Sequence, residues 1–292
     1  MKEKYLQALN SFAKRIKNDP NIIAILLYGS LAYGDVWEKS DIDIEIIVRD
    51  GTAISANWFL FEEDEVEFEI TGIVEISKFK NMLNKVRTGF DHAKYGGGYL
   101  IFSKDDALNE IFESARKIGA DDAPKSFAAK ISELLNWMKK AEKYASVDTL
   151  YSQRFLQLCA PIAAEMLLIT HRENPNRDSI LRARQLDADL MHKIYVLPST
   201  TAMSEDDIRD ALQALDNFLV KHMNWWSKHI IKFMNDGEVK TFSHILDHCG
   251  YAPMQFLAEK GVVEQVTSPA RIFKKSKLTI EETSYIYLGE DA

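Results

Sequence analysis

Two acidic residues lie two positions apart at the start of an apolar segment and could together bind a metal ion. Asp41 and Asp43 open the run from Asp41 to Val48, whose β-branched residues favour a strand. Alternate residues of a strand project from one face, so both carboxylates can bridge one or two cations. Clusters of carboxylate oxygens are typical of Mg²⁺ sites at which phosphate groups react. The spacing therefore predicts a site for metal-assisted phosphate chemistry.

A glycine and a serine follow the preceding apolar run and could bind phosphate oxygens. The run from Ile22 to Tyr28 is predicted to be a buried strand that ends at Gly29. Gly29 lets a ligand approach the backbone closely, and backbone N–H groups with the Ser30 hydroxyl can hold triphosphate oxygens. Either motif alone is common in turns or on solvated strands. Their combination, each anchored by a predicted strand, is much more specific.

The combined pattern resembles a known family. Leu-Tyr-Gly-Ser, nine further residues and then Ser-Asp-Ile-Asp-Ile are similar to the signature of the DNA polymerase β-like nucleotidyltransferase superfamily. This resemblance implies a Mg²⁺-dependent enzyme that transfers a nucleoside monophosphate, expected to be AMP from ATP, to a hydroxyl group with release of pyrophosphate. Asp41 and Asp43 would then bind the metal, and Gly29 and Ser30 the nucleotide phosphates.

The resemblance also implies a third carboxylate on a neighbouring strand, which completes the metal site and in several members serves as the base. The predicted strand from Glu65 to Val74 offers Glu67 and Glu69, which share one face. Glu69 is favoured, because Glu69-Ile70-Thr71 precedes an apolar stretch and a predicted helix in the order typical of the family. Alternation along the strand leaves Glu67 open as well.

Within the superfamily, the layout over roughly residues 20 to 235 is similar to kanamycin (aminoglycoside) nucleotidyltransferase-like proteins. That likeness implies a phosphate-binding role for Lys140, which also fits a solvated helix face. Asn136 stands where the likeness requires a glutamate base, and a neutral amide cannot accept the acceptor's proton in the same way. Glu133 lies one turn earlier and could substitute, although dipole compensation near a helix N-terminus also explains it.

The predicted fold class is α+β, with a mixed-sheet nucleotidyltransferase domain, an all-α helical bundle and a small C-terminal lobe. The predicted boundaries are 1–118 for the catalytic domain, 119–237 for the helical, substrate-binding domain and 238–292 for a small α/β appendage. The helical prediction rests on amphipathic stretches, which run from Phe127 to Tyr144, Leu150 to His171, Asp178 to Tyr195 and Ser204 to Met234.

The composition limits the kinds of molecule that the protein is expected to bind. The 292 residues carry a formal net charge of -8 and a sequence pI near 5.5, which argues against a broad nucleic-acid footprint and favours a small-molecule acceptor. No apolar run is long enough to span a membrane and no signal peptide is recognisable, so we expect a cytoplasmic protein. A homodimer is expected from the family resemblance alone.

Other interpretations remain at this point. The acceptor could be a protein, as in antitoxin-type nucleotidyltransferases, or the chain could be a nucleotide-binding sensor without turnover, for which Asn136 is the main support. His244, His248 and Cys249 have metal-like spacing but no recognisable fourth ligand, so packing roles are favoured for them. Trp225 and Trp226 are likewise predicted to be core residues.

Overall fold

The computed structural model describes residues 2–34, 36–85, 95–116, 118–176, 178–273 and 277–289. Contacts between residues divide the chain into two compact units. The first comprises Met1–Gly119 with Arg172–Arg177, and the second comprises Ala120–His171 with Asp178–Ala292. The first contains a mixed sheet with helices and the second is mainly helical, so the predicted α+β class is confirmed.

A five-stranded sheet forms the centre of the first unit, in the order β3-β4-β2-β1-β5. Its strands are β1 (Ile22–Tyr28), β2 (Ile42–Val48), β3 (Phe59–Glu63), β4 (Val66–Glu75) and β5 (Tyr99–Ser103). The helices of this unit are α1 (Lys2–Ile16), α2 (Gly29–Tyr33), α3 (Ile76–Lys85) and α4 (Asp106–Ala115). β2 and β4 are parallel, and the other neighbouring pairs are antiparallel.

Apolar side chains cover both faces of this sheet. On one face, Leu9 and Phe12 of α1 belong to the same buried cluster as Ile44 of β2. On the other face, Phe79 of α3 and Phe112 of α4 join a second buried cluster, which includes residues of β1 and β2. Burial on both faces explains why β1 is a continuous apolar run and why β2 is apolar at every position except Asp43 and Glu45. The acidic residues of β2 are therefore exceptions within a core strand.

Strand β3 was not predicted from the sequence. It is an edge strand that pairs only with β4, and its register places Glu63 opposite Val66. Asp64 and Glu65 form the connecting turn with φ angles of 53° and 55°, in the left-handed region that tight hairpin turns use. Asp64 is a common residue in such turns, but Glu65 stands where glycine usually follows, so the sequence signal of the turn is incomplete.

The second unit consists mainly of helices. In chain order they are α5 (Asp122–Tyr144), α6 (Thr149–Thr170), α7 (Ser179–Leu186), α8 (Ala188–Met191), a π-helix (His192–Val196), α9 (Leu197–Thr200), α10 (Glu205–Lys221), α11 (Met223–Trp226), α12 (Lys228–Met234), α13 (Phe242–Cys249) and α14 (Met254–Glu259). A three-stranded sheet accompanies them, with β6 (Lys240–Thr241), β8 (Thr279–Ile286) and β7 (Glu264–Arg271) in that order.

Several local predictions for this unit can be compared with the structure. The helix predicted from Asp178 to Tyr195 is interrupted at Asp187, whose side chain accepts a hydrogen bond from the Leu190 N–H and caps α8. Trp226 is fully buried and donates its indole N–H to the Leu219 carbonyl, as a core role requires. Cys159 and Cys249 are both free thiols. None of the helices in the described residues is both long and apolar enough to cross a lipid bilayer.

The buried side chain of Gln153 fixes the segment between α9 and α10. Its amide nitrogen donates to the carbonyls of Pro198 and Thr201, at 2.6 and 3.0 Å, and its oxygen accepts from the Met203 N–H at 3.0 Å. Gln157, exposed on the same helix, donates to the Pro198 carbonyl as well. Gln153 therefore joins α6 to backbone groups that no regular secondary structure would satisfy.

We expect Gln153→Leu to lower the free energy of unfolding by about 2–3 kcal/mol, because it removes the side-chain partner of the buried Met203 N–H and a partner of the buried Pro198 carbonyl. Urea denaturation followed by circular dichroism measures the change. Gln157→Leu is the matched control, since water can replace its exposed hydrogen bond. Equal losses for the two variants would contradict the role given to Gln153.

Candidate active site

Three carboxylates converge in the first unit. Asp41, Asp43 and Glu69 each offer one oxygen, and these oxygens all lie within 4.8 Å of one another. All three side chains are half-buried. Among the described residues, this is the one group of three or more metal-ligating side chains. Carboxylates at this separation can share a hard divalent cation such as Mg²⁺.

The parallel pairing of β2 with β4 produces this convergence. Asp43 lies directly opposite Glu69 in the register of the two strands. Asp41 stands just before β2 and is separated from Asp43 by one residue, Ile42, which is completely buried. The buried isoleucines hold the strand in place, so alternation directs the two aspartates away from that core cluster.

Glu67 lies elsewhere on the same strand. It is exposed and lies opposite Glu62 of the edge strand β3, and it is not part of the carboxylate group. Of the two alternatives that the sequence left open, the structure thus brings Glu69 to the aspartates. Which of the two acts in the reaction stays a prediction.

A tryptophan that sequence reasoning missed contacts Glu69. The indole N–H of Trp58 donates to Glu69 Oε1 at 2.8 Å, although 61% of Trp58 is exposed. This hydrogen bond helps to orient the Glu69 carboxylate. No local motif indicated the contact, because Trp58 immediately precedes the strand that was not predicted.

Gly29 begins α2 directly after β1 with a φ angle of 73°. A Cβ atom added there would lie 1.9 Å from Asp43 Oδ2, well inside the range in which atoms repel. Both the backbone conformation and the contact with Asp43 therefore require glycine. The adjacent Ser30 hydroxyl is buried without a hydrogen-bond partner among the described residues. An unsatisfied buried hydroxyl beside a carboxylate group fits a site that holds a polar ligand.

A fourth carboxylate, Glu45, is buried one strand repeat beyond Asp43 and was also missed. It is 4% exposed and lies opposite Gly72 of β4, where an added Cβ would come within 2.7 Å of Glu45 Oε1. The register shifts next to it, since Ile44 pairs with Ile70 but Glu45 pairs with Gly72. The signal in the sequence was the continuation of the Asp-x-Asp alternation to a third acid.

The pKa of Tyr28 is affected by the negative charges of the nearby carboxylates. Its hydroxyl is hydrogen-bonded to the hydroxyl of Thr71, which contacts the Ile44 carbonyl at 3.4 Å. Burial raises the pKa of Tyr28 far above its usual range, and the negative charges of Asp43, Glu45 and Glu69 raise it further. The Tyr28 side chain therefore remains a neutral phenol beside the carboxylates.

The remaining predicted residues lie in the second unit. Glu133, Asn136 and Lys140 are exposed residues of α5 at positions that share one face of the helix. The phosphate-binding role of Lys140 stays a prediction, as does the narrower likeness to kanamycin nucleotidyltransferase-like proteins.

The segment that contains these carboxylates resembles a known protein family. Residues 10–107 match the family model described as Polymerase beta, Nucleotidyltransferase. This segment is a nucleotidyltransferase domain of the polymerase β type. The match includes Gly29, Ser30 and the carboxylates of Asp41, Asp43 and Glu69, and it confirms the superfamily predicted from the signature.

A solved structure shares the fold over nearly the whole chain. It is a nucleotidyltransferase-like protein from Exiguobacterium sibiricum 255-15, which is 16% identical and has a TM-score of 0.56. The alignment covers 97% of this chain and 99% of that chain. At this level of identity the likeness shows the architecture of the nucleotidyltransferase domain and the helices that follow it. No curated protein matches the chain.

We expect Gly29→Ala to weaken binding of Mn²⁺, a probe for divalent-cation binding by these carboxylates, by about tenfold or more, because the new methyl group displaces the Asp43 carboxylate. Calorimetric titration with MnCl₂ measures the effect.

Gly34→Ala is the matched control. Gly34 also has a positive φ angle, of 91°, but the nearest atom to its added Cβ is the flexible end of Lys2 at 3.3 Å. Backbone strain is therefore common to both variants, and displacement of Asp43 is confined to Gly29→Ala. Equal Mn²⁺ affinities in the two variants would show that Gly29 does not position Asp43.

Proposed function

We propose that this protein is a Mg²⁺-dependent nucleotidyltransferase that transfers AMP from ATP to a hydroxyl group of a small-molecule acceptor. The observation that supports this most is the convergence of Asp41, Asp43 and Glu69 beside Gly29 and Ser30, within a nucleotidyltransferase domain. In the reaction, the acceptor oxygen forms a bond to the α-phosphorus. The bond from that phosphorus to pyrophosphate breaks, and the proton of the acceptor hydroxyl passes to a carboxylate.

Each residue of the site has a distinct part in this proposal. Asp41, Asp43 and Glu69 would hold Mg²⁺, which offsets negative charge on the reacting phosphate and on the departing pyrophosphate. The Ser30 hydroxyl, which lacks a partner among the described residues, would donate to a phosphate oxygen of the nucleotide. Glu69 is the preferred base, with Glu67 and then Glu133 as alternatives, and Lys140 would bind phosphate from α5.

The acceptor is proposed to be small because the chain as a whole is acidic. With 44 Asp and Glu against 36 Lys and Arg, it lacks the excess of cations that binding to a nucleic-acid backbone requires. Asn136 cannot serve as the base found in kanamycin nucleotidyltransferase-like proteins, which argues against an aminoglycoside modified by the same mechanism. We further expect a cytoplasmic enzyme and a homodimer.

A screen of ATP, GTP, CTP and UTP against hydroxylated acceptors, with pyrophosphate release as the readout, tests donor and acceptor together. Lincosamides, aminoglycosides and other hydroxylated metabolites form the acceptor panel. Release that requires both Mg²⁺ and one acceptor supports the proposal. Calorimetry that shows Mg²⁺-dependent ATP binding without release under any condition would instead favour the nucleotide sensor.

Asp41→Asn should abolish Mg²⁺-dependent pyrophosphate release with the fold intact, because the substitution removes a charged ligand of the cation. Circular dichroism and thermal unfolding check that the variant folds. Turnover at the normal rate in this variant would contradict the assignment of the metal site.

Glu69→Gln and Glu67→Gln form a matched pair on one strand. We expect Glu69→Gln to lower kcat by about a hundredfold or more, since it removes both a metal ligand and the preferred base. Glu67→Gln should keep kcat within about threefold, because Glu67 is exposed and lies outside the carboxylate group. The reverse ranking in steady-state kinetics would transfer the role of third carboxylate to Glu67.

A further inference from the structure

The second unit contains a cavity of about 450 Å³ whose residues all lie outside the nucleotidyltransferase domain. It is formed by residues from the start of α5, from α12, from the end of α13 and from the segment that follows α13. The lining residues are Lys125, His229, Lys232, Phe233, His248, Cys249 and Tyr251. A volume in this range is typical of sites for small organic ligands.

The charge of this lining is opposite to that of the chain. The protein carries a net charge of -8, yet the described residues that line the cavity include two lysines and two histidines and no aspartate or glutamate. Neither Lys125 nor Lys232 makes an ion pair or hydrogen bond with any residue that the structure describes. Cationic groups that converge on a cavity without acidic partners favour an anionic ligand.

His229 is the polar group in the cavity wall whose hydrogen bonding is incomplete. Its Nε2 is hydrogen-bonded to the hydroxyl of Tyr251. Burial raises the pKa of Tyr251 far above its usual range, so the hydroxyl stays protonated and can donate to Nε2. A neutral His229 then carries its hydrogen on Nδ1, and this nitrogen is buried with no partner among the described residues.

The protonation of His229 also reflects the surrounding positive charge. Burial, with a further contribution from the neighbouring Lys125 and His248, lowers its pKa to about 4. At neutral pH the imidazole is therefore uncharged and donates one hydrogen bond from Nδ1. An oxygen of an anionic ligand would complete the hydrogen bonding of this donor and be attracted by the adjacent charges.

His248 is held in a defined orientation next to this donor. Its ring stacks on Phe233 with the centroids 3.8 Å apart and the planes 8° from parallel. Lys240 lies over the Phe233 ring at 5.1 Å, and its ammonium group is hydrogen-bonded to Asp236. Lys240 lies outside the cavity lining, whereas Lys125 and Lys232 line it with exposed side chains. Fixed donors with two available lysines suit the several oxygens of a phosphate group.

We propose that this cavity binds a small phosphorylated metabolite, whose phosphate oxygens accept a hydrogen bond from His229 Nδ1 and pair with Lys125 and Lys232. The site would be additional to the one at which the nucleotide reacts. It requires no cation and none of the carboxylates of the nucleotidyltransferase domain, so its occupation can be measured with metal absent.

Phenyl phosphate in buffer with EDTA is a suitable probe, and benzyl alcohol is the uncharged comparison. In calorimetric titrations we expect saturable heat of binding for phenyl phosphate and none for benzyl alcohol. Phenyl phosphate should also shift the His229 side-chain nitrogen signals in ¹⁵N NMR spectra. Lys232→Gln should weaken binding by about tenfold, as expected for loss of one charge-assisted hydrogen bond. His229→Gln keeps an amide able to contact Tyr251 but removes the Nδ1 donor, and it should weaken binding similarly.

Lys228→Gln is the control, because Lys228 is exposed on the same helix and does not line the cavity. It removes the same charge, so its binding should equal that of the unmodified protein. Equal weakening by Lys228→Gln and Lys232→Gln would reduce the effect to general charge attraction and overturn the proposal. The proposal would also be overturned if the folded protein showed no saturable binding of phenyl phosphate. The same holds if benzyl alcohol bound as tightly as phenyl phosphate.

Discussion

The parallel pairing of β2 with β4 is the constraint on which the candidate active site depends. It places Asp43 directly opposite Glu69 and keeps the oxygens of Asp41, Asp43 and Glu69 within 4.8 Å of one another. Like charges at this distance repel, so the arrangement needs a compensating source of stability. Ile42 and Ile44 alternate with the aspartates and are completely buried, and they provide it through the apolar cluster shared with α1.

The same constraint explains why small residues stand beside the acids. Gly29 leaves room for the Asp43 carboxylate, and Gly72 leaves room for that of Glu45. A side chain at either position would push a carboxylate off the strand face on which its neighbours lie. Tyr28 completes the arrangement as a neutral hydrogen-bonding group, because burial and the surrounding negative charge disfavour its ionisation. The geometry of the carboxylate group thus depends on neighbouring residues that are not part of it.

The sequence predicted part of this site. The strand that ends at Gly29 and the strand that begins near Asp41 followed from their apolar runs, and the spacing between them indicated the chemistry. The choice between Glu67 and Glu69 could not be made from periodicity, because both residues point to the same side of β4. Only the register between β2 and β4 separates them, because Asp43 lies opposite Glu69 and the paired residues of β4 begin at Phe68, after Glu67. Register depends on tertiary contacts that no local pattern specifies.

Residues that were missed share a physical reason. Trp58 acquires its role through an edge strand with weak local signals, and Glu45 looks like an ordinary alternating acid until the bulge next to Gly72 is seen. The C-terminal segment 238–292 was predicted as a small α/β appendage, without the pairing of its strands. In the structure β7 and β8 pair over their full lengths. In each case a backbone partner distant in sequence determines the outcome.

The contrast between the two candidate sites shows what net charge can and cannot predict. A total of -8 describes long-range attraction, and it is a reason to exclude a broad phosphate-backbone footprint. It says little about a cavity, where groups within a few ångströms dominate the local potential. Lys125 and His248 are far apart in sequence, and together they lower the pKa of His229 after burial has already lowered it. The carboxylates of the first unit create the opposite field around Tyr28. Cation binding and anion binding can therefore occur in one acidic chain, because folding collects each kind of charge separately.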